Sequence, residues 1–495
     1  MKNSFKALCV SAVLGVAAAL PAQAADFVLV NIDPAGSGFN DPTPATPVGG
    51  NSGTTVGQQR IIAYSRALQL WGSMLKSDVP IVVIGSFAPR SCTPTSGVLA
   101  SAGAWNIEAD FANAPLAGHW YHSALANSIA GTDLTADPNP FNGADIVAIF
   151  NSQLGTPACL TTSRWYYGLD SHANAGAGEI DFLNVFMHEL SHGLGFSNFI
   201  SEDVGHNGID GRPDVYMAFT KDNVTGKRWN QMTPAEIVAA AVRNGQEVWV
   251  GPNVTANAPL VLGPQVLMRF TAPAAVAGKI AMVRRGVCGF VVKAKNAQDA
   301  GAIGVIIANN QAGGAIGLGG ADPSVTIPAI SVAQSVGDAF FAAGGVGAGG
   351  LEEDPTLLAG ADATGHVRVY APTVLALGST ASHFDTAALP NLLMEPAITP
   401  TLRASLNVDL TAALFRDIGW TLELYMPGCG PVAGAEAVSP TGDHHAGQIF
   451  LCSDSAKNKG AFQSCVAHHL GSLNGEGVLS GTQKGKLGSC YAGFQ

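Results

Sequence analysis

His188-Glu189-Leu190-Ser191-His192-Gly193-Leu194-Gly195 is the stretch on which the reading of this chain turns. Two histidines at i and i+4 lie one turn apart on a single face of a helix. Both imidazoles can then reach one tetrahedral zinc at about 2.0–2.1 Å. Glu189 follows the first histidine directly, where its carboxylate can take a proton from a zinc-activated water. Zinc lowers the pKa of such a water toward about 7 and polarises a scissile carbonyl, which are the two demands of amide hydrolysis. The flanks Phe182, Val185, Phe186, Leu190 and Leu194 are apolar. A charged, solvated turn of helix would not carry them, and a buried helix with two histidines and a glutamate needs a reason to hold them. The pattern predicts a helix over 180–194, ended by Gly193 and Gly195.

A hydrolytic zinc site needs a third strong ligand and an open position. Glu202, Asp203, His206, Asp210 and Asp214 follow closely, and His383 lies far downstream in Ser379-Thr-Ala-Ser-His383-Phe-Asp385-Thr. On the residues alone all of them stay open. The extended motif His188-Glu-x-x-His192-x-x-Gly195 resembles the metzincin metalloproteases, in which a glycine turns the chain toward the third ligand. Most of that clan place a histidine three residues after the glycine; this sequence has Asn198 there, whose neutral amide binds zinc poorly. Leu392-Leu-Met394-Glu-Pro396 follows shortly after His383. The arrangement resembles the leishmanolysin-like branch, where an insertion separates the glycine from the third histidine and a Met-turn comes next. That resemblance implies Zn2+ held by His188, His192 and His383, Glu189 as the catalytic base, and Met394 as an apolar floor beneath the metal. Pro396 stands where many metzincins have a tyrosine, which leaves Tyr370 and the zinc to stabilise an oxyanion. Asp385 is expected to orient a neighbouring group from behind the ligands.

Other stretches give the organisation. A short strand is expected at Phe27 to Asn31 and buried strands at 80–85 and 145–150. Ile61, Tyr64, Leu68, Trp71 and Leu75 recur at helical spacing over 57–76, which predicts an amphipathic helix with these residues on the core. From about residue 262 to 361 the chain turns rich in Gly, Ala and Val, and strand–helix–strand spacing (279–283, 293–300, 304–308) predicts a compact α/β unit. Gly278-Lys-Ile-Ala-Met-Val-Arg-Arg-Gly286, Cys288-Gly-Phe290 and Ala300-Gly301-Ala302 resemble a protease-associated (PA) domain. Such a domain gates or binds and carries no catalytic groups. An amphipathic helix is expected over 407–420, and its ending Arg416-Asp-Ile-Gly-Trp420 resembles the helix after the Met-turn. The fold class is therefore α+β: a metzincin-like domain, with a twisted sheet and an active-site helix, over 25–261 and 362–426. The PA-type unit at 262–361 interrupts it, and a Cys-containing tail occupies 427–495.

Residues 1–24 combine Lys2 and Lys6, an apolar run from Ala7 to Leu20, and Ala22-Gln23-Ala24, the pattern of a cleaved secretory signal. The apolar run is too short to span a membrane, and no later stretch replaces it. The expectation is a secreted protein without stable membrane insertion. Of 495 residues only 12% are charged, with a net charge of −11 and no basic run, which argues against nucleic acid, while the metzincin resemblance implies protein or peptide substrates as partners. Seven cysteines remain after Cys9 leaves with the signal. Cys92 and Cys159 both flank strands and are paired. In the tail, Cys429–Cys452 and Cys465–Cys490 are favoured because their loops are short, leaving Cys288 free. His444-His445 and His468-His469 are expected on the surface. The loops 168–172 and 206–214 offer carboxylates and carbonyls for Ca2+, or the Asx turns that the same residues make.

The leading function is a secreted zinc-dependent endopeptidase. The alternatives are a non-catalytic binding or adhesion protein on the same scaffold, and a zinc hydrolase of non-peptide substrates. The intact Glu189 between the two histidines favours an enzyme, since a degenerate scaffold usually loses the base.

Overall fold

Pro80-Ile-Val-Val-Ile and Asp145-Ile-Val-Ala-Ile-Phe are continuous apolar runs, the signature of strands covered on both faces. In the computed structural model they are Ile81–Ala88 and Ile146–Asn151, adjacent and parallel at the centre of a four-stranded sheet. Phe27–Asn31 pairs in parallel with the first. Ala100–Ala104 closes the sheet on the other side and runs antiparallel to Ile146–Asn151. The structure describes residues 25–494 apart from 173–174, 207–208, 271–276, 287, 320–321, 323 and 344–348. The expected signal segment, 1–24, lies outside the described residues.

Helix Val56–Gly72 starts with a capping box, Thr55 accepting from Gln58 N and the Gln58 side chain answering to the Thr55 backbone. Its core face is Ala63, Tyr64, Ala67, Leu68 and Trp71, all buried. Ile61, expected on that face, is 38% exposed, and Leu75 is buried beyond the helix end. Spacing alone put Ile61 on the stripe, where Ala63 and Ala67 share the core face with Tyr64, Leu68 and Trp71 instead. Trp71 Nε1 donates to Met187 O at 3.2 Å, and the Tyr64 ring stacks on Phe186 at 4.1 Å between centroids, so this helix buttresses the one that carries the histidines.

The chain divides into two compact units, one made of the residues up to Gly263 and from Leu358 on, the other of Pro264–Leu357. In the second unit Ile280–Arg284, Gly304–Ala308 and Ala329–Val332 form a parallel three-stranded sheet. Helices Phe290–Asp299 and Gln334–Ala342 accompany it. One small core gathers Ala294, Ala297, Val305 and Ile307, another Ile306, Ala308 and Val332. Strands Pro264–Phe270 and Gly349–Leu358 pair with each other. Beside them, within the first unit, Ala359 N donates to Gly263 O at 2.9 Å.

The tail belongs to the first unit's hydrophobic core through Ala446, Ile449, Cys452, Val466 and Leu470. Arg66 pairs with Asp454 and lies 4.6 Å over the Phe450 ring. Its bridges correct the expected pairing: they are Cys429–Cys490 and Cys452–Cys465. Lys459–Gly475 and Gly481–Ala492 pack together as a helical hairpin, which returns Cys490 to the start of the tail. Cys452 near the end of His445–Ser455 faces Cys465 across the turn between two helices. Cys92–Cys159 forms, and Cys288 is free and exposed. The helix expected over 407–420 is confined to Thr411–Ile418. The residues before it form a turn in which Asp409 Oδ1 accepts from Thr411 N and Thr411 Oγ1.

Candidate metal centre

The helix with both histidines is Phe182–Leu194, with every residue buried. Asp181 caps it, its Oδ1 accepting from Leu183 N at 2.8 Å and Asn184 N at 3.1 Å. Gly195, at φ +128°, ends it, and Trp420 Nε1 takes up the Leu194 carbonyl at 2.8 Å. Gly193 does not end the helix as expected. A Cβ there would sit 2.4 Å from Ile146 Cγ2, so its missing side chain lets the helix lie close on the central strand.

His188, His192 and His383 come together. Their ligand nitrogens all lie within 4.8 Å of one another, the one convergence of three or more such side chains among the described residues. His188 Nε2 is 3.2 Å from His192 Nε2 and 3.3 Å from His383 Nε2. Each Nδ1 faces a backbone carbonyl: His188 that of Leu393 at 2.7 Å, His192 that of Phe196 at 2.8 Å, and His383 that of Ser379 at 2.9 Å. A carbonyl only accepts, so each Nδ1 carries the proton and each Nε2 presents a lone pair. Burial lowers His188 to about 4 and His383 to about 3, and drives His192 well below the usual range with help from the other two histidines, so all three are neutral at neutral pH. Lone pairs this close repel one another unless a cation sits among them. Tetrahedral zinc with bonds of about 2.0–2.1 Å spaces its nitrogens by about 3.3 Å, so the donor set fits that ion.

Glu189 is 7% exposed. Burial pushes its carboxyl up to about 8, while a hydrogen bond from the Ala102 backbone and the charge of Arg90 pull the other way. Ala102 lies on the edge strand of the sheet, and Arg90 donates to Ser101 Oγ on the same strand. Sequence reasoning missed these neighbours, because Ala-Ser-Ala-Gly-Ala lacks the β-branched residues that mark a strand.

Met394 is fully buried, and its carbonyl accepts from Phe384 N at 2.8 Å, tying the Leu392–Glu395 turn to His383. Asp409 Oδ2 accepts from Leu393 N, and the Leu393 carbonyl in turn receives His188 Nδ1. This support behind a ligand was also missed; Asp409 read only as part of a helix.

The other candidates stand outside the cluster. His206 is exposed, and its backbone bridges Ser201. Asp214 caps a turn, accepting Phe199 N and Met217 N. Asp210 accepts Trp120 Nε1 and Arg212 N, and Asp170 accepts the Tyr166 hydroxyl. These carboxylates serve turns and side-chain donors, the alternative weighed against calcium. Asp385 Oδ1 holds Ala387 N in an Asx turn, and the His383 ring is held by the Ser379 carbonyl. Tyr370 brackets His383 through its backbone, Tyr370 N donating to His383 O at 2.9 Å. His444 and His445, expected on the surface, are 2% and 3% exposed, because the tail packs on the main core.

Among the described residues no helix is long and apolar enough to cross a membrane. Residues 255–340 match the PA domain family, a kind of domain common in proteases. No curated protein matches the chain.

Proposed function

We propose that this chain is a secreted zinc endopeptidase of leishmanolysin-like metzincin type, acting on proteins or peptides. The observation that carries the reading is the convergence of three neutral imidazoles through Nε2, each fixed from behind by a carbonyl on Nδ1. His188, His192 and His383 would hold the ion. Bound there, zinc supplies Lewis acidity toward a carbonyl oxygen and acidifies a water molecule. Glu189 accepts the proton of the attacking water on its carboxylate and returns it to the leaving amine nitrogen. A dication nearby lowers its pKa from the buried value into the range of a working base.

The edge strand Ala100–Ala104 runs beside the helix that carries Glu189, and the backbone of Ala102 reaches the Glu189 carboxyl. A peptide added to that edge as a further strand would bring its backbone past the base. Three disulfides fit an oxidising compartment, as export through residues 1–24 requires. In this reading the PA unit selects or gates substrates and takes no part in the chemistry. Metal analysis of the purified chain, together with digestion of a peptide library, tests the proposal. It predicts one zinc per chain and cleavage abolished by chelation. Stoichiometric zinc without peptide cleavage would favour a non-peptide hydrolase.

A further inference from the structure

Asn198 stands where most metzincins carry the third histidine. Its side chain is committed elsewhere. Asn198 Oδ1 accepts from Ile200 N at 3.1 Å, which fixes the amide plane. Nδ2 then donates to Ser382 Oγ at 3.0 Å, and the Asn198 backbone N–H donates to the same oxygen at 3.3 Å. Ser382 is 7% exposed and directly precedes His383.

The segment carrying His383 needs such a restraint. Ala381 is held at φ +60°, a left-handed conformation that a non-glycine residue adopts only when its surroundings enforce it. On one side Tyr370 clasps the segment, Ala381 N donating to Tyr370 O at 2.8 Å and Tyr370 N to His383 O at 2.9 Å. On the other side Ser382 hydrogen-bonds the loop that follows Gly195 through Asn198, beside the edge-on packing of Phe384 on Phe196 at 4.9 Å. The bond joins the two ligand-bearing segments across a sequence separation of 184 residues. Sequence separations of that length leave a ligand's position to whatever contacts close the loop.

We propose that Asn198 and Ser382 form a positioning pair that holds His383 against His188 and His192, so that Asn198 serves the third ligand instead of being it. The inference rests on the zinc reading, and its test separates the two. Zinc affinity is measured by chelator competition on the full chain for the wild type, Asn198→Ala, Ser382→Ala, the double variant and Ser382→Thr. Amide hydrogen exchange is followed on the zinc-free proteins. Each alanine variant should bind zinc 10–100-fold more weakly. The double variant should be no worse than Ser382→Ala, which already removes both bonds to Ser382 Oγ, of which Asn198→Ala removes one. Ser382→Thr, which keeps the hydroxyl, should stay within about threefold of the wild type. In the zinc-free chain both alanine variants should speed exchange at the Ala381 and Tyr370 amides. Unchanged zinc affinity in both alanine variants, or losses that add in the double variant, would overturn the pair, even if the zinc-free fold is weakened. If the wild type takes up no zinc, the zinc reading fails and exchange alone decides the pair. Faster exchange at those two amides supports it, and unchanged exchange overturns it.

Discussion

Among the described residues, two regions bury neighbouring histidines together, and in only one of them do three ligand nitrogens converge. At the candidate metal centre each Nδ1 rests on a carbonyl, and His188 Nε2 lies within hydrogen-bonding distance of both His192 Nε2 and His383 Nε2. In the tail, His444 Nε2 pairs with Ser73 Oγ at 3.0 Å, and His445 Nε2 is buried without a hydrogen-bond partner. Burial lowers His444 to about 3 and His445 to about 4, much as it lowers His188 and His383. A depressed pKa therefore does not separate the regions. What separates them is direction: lone pairs converge in one and disperse in the other. A buried histidine on its own is more often packing than chemistry, and convergence of several lone pairs on one point decides which.

The largest effect that could break this comparison comes from removing one imidazole in each region. His383→Ala should lose zinc and peptidase activity together, falling to background. His445→Ala should keep stoichiometric zinc, whatever it costs in stability. Metal content and turnover measured on both variants check this, and zinc retained by His383→Ala would remove that residue from the ligand set. Next in size is Glu189→Gln, which keeps the side-chain shape but removes the proton acceptor. Turnover should fall roughly 10²–10⁴-fold with zinc content unchanged.

A third, smaller effect sharpens the contrast through pH. With folded pKa values of about 3 and 4 against about 6.5 when unfolded, His444 and His445 bind fewer protons in the folded chain. Their contribution to stability is full above pH 6.5 and is lost as pH falls toward 4 and 3. Asp145 and Asp214, raised to about 6 by burial, act in the opposite sense: their folded forms hold protons longer, and stability declines as pH rises from about 4 to 6. The wild-type curve is a sum of these, so a difference isolates the histidine. His444→Gln should be less stable than wild type at pH 7, and by pH 4.5 the gap should close by about 2–3 kcal/mol. Urea midpoints at the two pH values measure it, and a gap independent of pH would mean that His444 does not titrate as its burial requires.

The histidine helix, the two central strands, Cys92–Cys159 and the PA unit were legible because each rests on local pattern: periodicity, apolar runs, and glycine and alanine spacing. The rest depended on what lies across the fold. Ile61 fell on the predicted stripe, but the core is satisfied by Ala63 and Ala67, whose small size reveals nothing in sequence. Gly193 read as a helix end because glycine usually is one; only the proximity of Ile146 shows it as a contact point. The tail cysteines were paired by short loops, a rule that fails once helices fold back on one another. Ala100–Ala104 has no strand composition and owes its conformation to Ile146–Asn151 beside it. The third member of the histidine cluster needed a resemblance, since nothing in the residues alone ranks His383 above His206.

The smallest expected effect comes from removing the unit that holds none of the three histidines. All three, with Glu189 and Met394, lie in the unit formed by the chain up to Gly263 and from Leu358 on. The carbonyls that hold the imidazoles belong to Leu393, Phe196 and Ser379, in that same unit. Gly263 and Ala359 are already joined by a backbone hydrogen bond, so a Gly/Ser linker of a few residues in place of Pro264–Leu357 spans the gap without stretching either end. Among the described residues, the unit removed has small cores of its own, and no side chain of the main core belongs to it. The shortened chain should therefore fold, take up one zinc, and cleave short peptides within about twofold of the full chain, while its ranking of large protein substrates shifts. Zinc analysis and peptide kinetics on the same preparation check it. A folded, zinc-loaded deletion variant without activity on short peptides would show that the PA unit completes the site, and the comparison between the two histidine regions would then have to include it.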